Sequence, residues 1–205
     1  MTERILELAQ REAQQTEVFE VLSESTMVHF EASRLKQVER RQSRSVALRL
    51  IRDGRIGFAS AGGPVEAADL VRMAVETSVF GAPAGLQFSG GDTFPGVDIY
   101  DPRLAAIDTD SLVTLGTGVI DRVTSFDGEV QCEGLVSAGT GTVRILNSAG
   151  LDSTYRKTSL SMFMEGVRVN GTDMLFVGDS MSSTRWLGDA DGVAATMVLQ
   201  LERAS

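Results

Sequence analysis

Phe30-Glu31-Ala32-Ser33-Arg34-Leu35-Lys36-Gln37-Val38-Glu39-Arg40-Arg41-Gln42-Ser43-Arg44-Ser45-Val46-Ala47-Leu48-Arg49-Leu50-Ile51-Arg52-Asp53-Gly54-Arg55-Ile56-Gly57-Phe58-Ala59-Ser60 is the stretch that decides the fold. Val46, Leu48 and Leu50 alternate with Ala47, Arg49 and Ile51. Asp53-Gly54 then interrupts, and Ile56 and Phe58 resume the alternation. Period two marks a half-buried strand, and Asp-Gly supplies the positive φ that a two-residue hairpin turn demands. Two antiparallel strands joined at Asp53-Gly54 are expected. The same stretch, Arg34 to Arg55, holds the densest positive charge of the chain.

Upstream, Thr2 to Gln14 has Ile5, Leu8, Ala9 and Ala13 on one helical stripe, with Thr2 as N-cap and Glu3 in the first turn. Val18, Phe19, Val21 and Leu22 read as a short strand and Ser23-Glu24-Ser25 as a turn. A second strand, Met27 to Ala32, then leads into the basic stretch. Downstream, Gly62-Gly63-Pro64 ends the hairpin. Ala67, Leu70, Val71, Ala74 and Val75 follow at helical spacing. Residues 81–103 are rich in Gly and Pro without a period, as in a linker or a functional loop. Gly90-Gly91 there is no phosphate cradle, because no Gly-x-x-x-x-Gly-Lys-Ser/Thr occurs.

Asp110 is placed as the cap of a helix over about 110–125, against which Gly116 and Gly118 argue. Beyond Asp127-Gly128 only strands are expected: one around Val130 to Val136, a turn at Ser137–Gly141, one around Val143 to Leu146, and a long one from Ser153 to Val169. Asn170-Gly171 is a second hairpin signal, Met174 to Met181 closes the meander, and a helix over about 189–203 ends the chain. The expected fold is α+β: an N-terminal helix–hairpin–helix α/β subdomain (1–80), an irregular connection (81–109), then a helix, an antiparallel four-stranded meander and a terminal helix (110–205).

The 205 residues suffice for one large domain or two small ones. A net charge of −9 argues against nucleic acid and anionic membrane as general partners. Two readings of Arg34–Arg44 compete: a solvated strand face with basic stems over apolar surface, or an electrostatic contact for an acidic partner or for the rest of the chain. Cys132 is the only cysteine and reads as a buried, inert thiol. An acidic N-terminus without an apolar core and the lack of a long apolar run point to a soluble, cytoplasmic protein.

Chemistry-bearing patterns are sparse. His29, the only histidine, cannot complete a metal site alone. Ser180 to Thr184 offers hydroxyls without an activating base, and Asp189 and Asp191 suit capping better than acid–base work. Trp186 reads as a packing anchor rather than a ligand platform. No catalytic and no metal residue is assigned, and substrate-binding residues stay unknown.

Several stretches together resemble the N-terminal half of the TldD/PmbA family, the so-called modulators of DNA gyrase. They are Phe30-Glu31-x-Ser33-Arg34-Leu35-Lys36 with Glu39-Arg40, Arg52 to Ser60, Val97-Asp98-Ile99-Tyr100-Asp101-Pro102, Asn147-Ser148-x-Gly150-Leu151 with Tyr155-Arg156-x-Thr158-Ser159, and Gly171-x-Asp173-Met174. Asp-Ile-Tyr-Asp-Pro is closer to the PmbA (TldE-like) branch. The resemblance implies a cytoplasmic zinc-peptidase system that trims small peptides, in which two homologous subunits pair. Zinc would sit on a His-Glu-x-x-x-His helix in the C-terminal half of the TldD-type subunit. That metal-bearing domain has no counterpart here, so no cofactor is expected in this chain, which is an excised region or a short homologue.

The expected function is a non-catalytic part of such a system, inactive alone, that contacts a homologous subunit or a second copy and walls a channel for unfolded peptides. The strand Tyr155–Val169 could accept such a peptide if it lies at an edge, or be interior. The alternative is a free-standing interaction module regulating a partner enzyme such as DNA gyrase.

Overall fold

The computed structural model describes residues 1–91 and 94–204. Asp92 and Thr93, in the expected irregular connection, and Ser205, the last residue of the expected 110–205 region, lie outside the described residues. In chain order the elements are α1 (Thr2–Ala9), β1 (Gln15–Glu31), β2 (Arg34–Arg52), β3 (Arg55–Gly62), α2 (Ala67–Ser78), α3 (Pro102–Ala105), α4 (Thr109–Phe126), β4 (Gln131–Asn147), β5 (Asp152–Asn170), β6 (Asp173–Ser183) and α5 (Asp191–Arg203).

All six strands belong to one sheet, ordered β3-β2-β1-β4-β5-β6. This overturns the expected helix–hairpin–helix subdomain followed by a separate four-stranded meander. The error arose at two polar stretches. Ser23-Glu24-Ser25 and Ser137–Gly141 are not turns; each lies inside a strand of 17 residues. A Cβ on Gly139 would stand 2.6 Å from the Glu24 carbonyl oxygen and 3.2 Å from Ser25 Cβ. Gly139 therefore marks a close approach of two backbones, the other use of glycine within a strand. Ser23 Oγ also meets Ser43 Oγ at 2.7 Å, so its hydroxyl is paired within the sheet.

The reversal between β1 and β2 falls instead at Ala32 (φ 49°) and Ser33 (φ 61°), two left-handed residues without the usual Asn or Gly. The Asp53-Gly54 hairpin forms as expected, with both φ values positive and Arg52 opposite Arg55. The second hairpin closes at Asn170 opposite Asp173, so its loop is Gly171-Thr172, one residue later than expected. Only Gly171 has positive φ there (61°), which suits a turn with glycine first. Helix limits shift too. α1 stops at Ala9, and α4 starts at Thr109 under Asp108, whose carboxylate accepts from the Ser111 amide at 2.7 Å.

The chain forms two compact units. The first comprises Met1–Ser23, Gln42–Asp98 and Gly141–Arg156. Its core joins Ile5 and Ala9 of α1, Val46, Leu48 and Leu50 of β2, and Leu70 and Ala74 of α2. The alternation of β2 puts these residues on one face, and the 3.6-residue period of α2 supplies its cover. Gly57 lets β3 lie directly on α2, since a Cβ there would overlap the Ala74 carbonyl and stand 2.8 Å from Ser78 Cβ.

The second unit comprises Glu24–Arg41, Ile99–Thr140 and Lys157–Ser205. Leu160, Met162 and Met164 of β5 and Val177 of β6 pack under Leu112, Val119 and Val123 of α4 and Met197 and Leu201 of α5. Phe30 occupies the space over Gly116, where a Cβ would overlap its ring. The glycine that counted against α4 is the one its packing requires.

Candidate interaction surface

The stretches that carry the resemblance each perform a local structural task. Ser33 closes the β1–β2 turn and ties it to β4: its amide donates to the Cys132 carbonyl (2.8 Å) and its Oγ accepts from the Cys132 amide (2.9 Å). Lys36 pairs with Glu31 across the same turn. Burial pushes the Cys132 thiol up, so it is held as a neutral packing group.

Asp101 and Thr158, far apart in sequence, meet at the start of α3. The Asp101 amide donates to Thr158 Oγ1 (2.9 Å), and the Thr158 hydroxyl donates to the Thr184 carbonyl (2.6 Å). The Thr158 amide donates to the Ile99 carbonyl (2.9 Å). The Asp101 carboxylate accepts from the Trp186 and Arg103 amides, both at 2.8 Å, and these two amides hold it below the usual aspartate range. In the first unit, Asn147 is buried and both ends of its side-chain amide are bonded. Its Oδ1 accepts from the Ala149 and Leu151 amides and its Nδ2 donates to the Ser89 carbonyl (2.8 Å).

Much of the basic charge of β2 is matched within the chain. In the first unit Arg44 meets Glu20 and Arg49 meets Glu17, with Arg49 also 4.9 Å from the Phe88 ring centroid. In the second unit Arg40 donates to Thr109 Oγ1 at 3.2 Å. Arg34, Leu35, Val38 and Arg41 are exposed.

The helices α4 and α5 cover only one face of β5 and β6. On the other, Phe163, Val169, Met174 and Phe176 are each more than half exposed. A hollow of about 280 Å³ beside Phe163 is also lined by His29, Glu31, Lys36 and Glu133. His29 Nε2 is buried without a hydrogen-bond partner. The order of the sheet sets β5 between β4 and β6, and β6 pairs with Leu160–Asn170, so residues 160–169 of the stretch Tyr155–Val169 are interior and cannot take a peptide as an added strand.

A second hollow, of about 340 Å³, lies where α4 and α5 begin, lined by Asp108, Asp110, Trp186, Asp189 and Asp191 among others. Three of its carboxylates have structural tasks: Asp108 caps α4, Asp189 accepts from the Asp191 amide (3.3 Å), and Asp191 pairs with Arg122 (3.2 Å). Trp186 packs against the core of its unit. Of the Ser180–Thr184 hydroxyls, Ser183 Oγ accepts from the Arg185 amide (2.9 Å), a local backbone bond.

Two family models match in chain order: "PmbA/TldA metallopeptidase domain 1" over residues 16–78 and "PmbA/TldA metallopeptidase central domain" over residues 102–204. The chain belongs to the PmbA/TldD family. Solved structures share its fold. They include TldE from Thermococcus kodakarensis (TM-score 0.84, 16% identity, 98% of this chain and 47% of that one). Two others are described as proposed modulators of DNA gyrase. One is from Thermotoga maritima (0.76, 12%, 97% and 46%), the other from Bacteroides thetaiotaomicron (0.82, 16%, 98% and 48%). The chain spans about half the length of each. No curated protein matches it.

The metallopeptidase name raises the question of a metal. Among the described residues no group of three or more His, Cys, Asp and Glu could hold one. Cys132 is committed to the core, and His29 has no second imidazole beside it. The donor set does not fit zinc. No helix among the described residues is long and apolar enough to cross a membrane.

Sequence reasoning missed two features. The turn at Ala32-Ser33 lacks any glycine signal. The exposed face bearing Phe163 and Phe176 could be separated from the core face only once α4 and α5 were placed.

Proposed function

We propose that this chain is a non-catalytic part of a PmbA/TldD-type peptidase system, closer to the PmbA (TldE-like) branch. It pairs with a homologous subunit or a second copy and forms one wall of a channel for unfolded peptides. Zinc and peptide hydrolysis belong to the C-terminal half of a TldD-type subunit, in the cytoplasm. The observation that carries the reading is the face of β5 and β6 that α4 and α5 leave uncovered. There, Phe163, Met174 and Phe176 are exposed, and Phe163 borders a hollow also lined by His29 and Glu133. Apolar side chains exposed in such numbers on one sheet face are characteristic of interaction surfaces.

The test is to mix the purified chain with a homologous subunit that carries His-Glu-x-x-x-His. Light scattering should report a complex, and chelator-sensitive peptide cleavage should need the zinc-bearing subunit. Turnover by this chain alone would overturn the reading, as would failure to pair with either the homologue or itself.

A further inference from the structure

Both ends of the sheet are blunted by a side chain that takes the outward backbone groups of one residue. On β3, Thr77 Oγ1 accepts from the Phe58 amide (3.0 Å) and donates to its carbonyl (2.9 Å). The Ile56 amide is taken by the Ala82 carbonyl (3.0 Å). On β6, Gln200 accepts from the Gly178 amide (2.8 Å) and donates to its carbonyl (3.1 Å), and the Ser180 amide is met by Asp179 (2.8 Å). These are common devices against unwanted strand pairing.

A third edge lies inside the strand order and is left open. β2 begins at Arg34, but β3 pairs only with Ser45–Arg52. The Arg44 carbonyl still accepts from the Gly63 amide (2.8 Å), so the backbone of Arg44 faces the side that β3 occupies. Alternation then turns the amides and carbonyls of Arg40, Val38 and Lys36 toward the free side. Basic and apolar side chains predominate along this edge: Arg34, Lys36, Arg40 and Arg41, with Leu35 49% and Val38 40% exposed, beside Gln37. The opposing acids are Glu31, which is paired with Lys36, and Glu39. From α4, Asp108 and Asp110 flank Thr109, which receives Arg40.

We infer that the free edge of β2, Arg34–Arg41, binds an extended acidic peptide by strand addition. Main-chain bonds to Lys36, Val38 and Arg40 would set the register, and Arg34 on one face of the strand and Arg41 on the other would each select a carboxylate. The same charges disfavour a second copy: two such edges paired antiparallel about Val38 would set Lys36 opposite Arg40. This deepens the peptide-handling role proposed above and rests on it for the class of ligand.

The probe is an extended peptide of about eight residues of Glu and Val with Glu on both faces of the strand, compared with its Lys-for-Glu counterpart on the whole chain. The Glu peptide should slow amide exchange at Lys36, Val38 and Arg40 and weaken with salt. The Lys peptide should do neither. Val38→Pro removes an outward amide where proline is tolerated, and should weaken binding at least about tenfold with the melting temperature little changed. The double reversal Arg34→Glu, Arg41→Glu should swap the preference to the Lys peptide.

Equal binding of both peptides, protection elsewhere, or a Glu-peptide response unchanged by Val38→Pro would overturn the inference. So would a doubled mass that Val38→Pro abolishes, because the second copy would then be the occupant. If these tests fail while the chain still pairs with its homologue, the strand-addition inference falls and the proposed function stands.

Discussion

The Phe30 ring rests on Gly116, in the place that a Cβ would fill. Gly118, one turn-fraction further on, has nothing within 4 Å of its Cβ position. The two glycines of α4 therefore answer to different physics. Gly116→Ala should lower stability by about 1–3 kcal/mol, as overpacked cores do. Gly118→Ala should raise it by up to about 1 kcal/mol through helix propensity. Denaturant melts of the two variants check both signs.

Thr158 is 2% exposed, and its hydroxyl serves Asp101 and Thr184 together. Thr158→Val keeps the shape and strands one donor and one acceptor. A loss of about 1–3 kcal/mol is expected. Thr158→Ser should retain most of the stability, which separates the hydrogen bonds from the packing of the methyl group.

Arg144 joins Glu3 (2.5 Å) and Asp152 (2.9 Å). Its own backbone amide and then Arg144 hold the Glu3 carboxyl down from 4.5 to about 2, and Arg144 also holds Asp152 below its usual value. A carboxylate with a depressed folded pKa stabilises the fold fully above its unfolded pKa, and this contribution fades as pH falls through the folded one. The melting temperature should therefore drop between about pH 4.5 and pH 2. Arg144→Gln should be less stable at neutral pH and show a shallower decline in that window, as thermal melts across pH would record.

Ala32 holds φ 49° in the β1–β2 turn, a region that costs a non-glycine residue about 1–2 kcal/mol. Ala32→Asn should recover about 0.5–1 kcal/mol, since asparagine tolerates that region. Ser33→Ala should do the opposite by stranding the Cys132 amide, which is bonded to Ser33 Oγ. Chemical denaturation distinguishes them.

Local signals were legible where a residue type has one dominant use. Asp53-Gly54 named its hairpin, and Leu70, Val71 and Ala74 named the buried face of α2. Signals with two uses misled. Serine and glycine at 23–25 and 137–141 suit turns, but they also suit strands whose backbones crowd each other, and only the proximity of Gly139 to Glu24 separates the cases. The edge of β2 was invisible for a related reason. The exposure of Arg34–Arg41 follows from how far β3 extends, which nothing within those residues specifies.

The sequence by itself carried the family resemblance, in motifs whose Ser33, Asp101, Asn147 and Thr158 side chains bond the backbone. It also determined the hairpin at Asp53-Gly54, because a positive φ at two adjacent residues is a local requirement. Only the tertiary structure decided that six strands form one sheet, that residues 160–169 lie inside it, and that Phe163 and Phe176 face outward. Pairing, register and burial are relations between residues distant in the chain. Alternation along a strand records two faces, and which one is covered depends on where α4 and α5 come to rest.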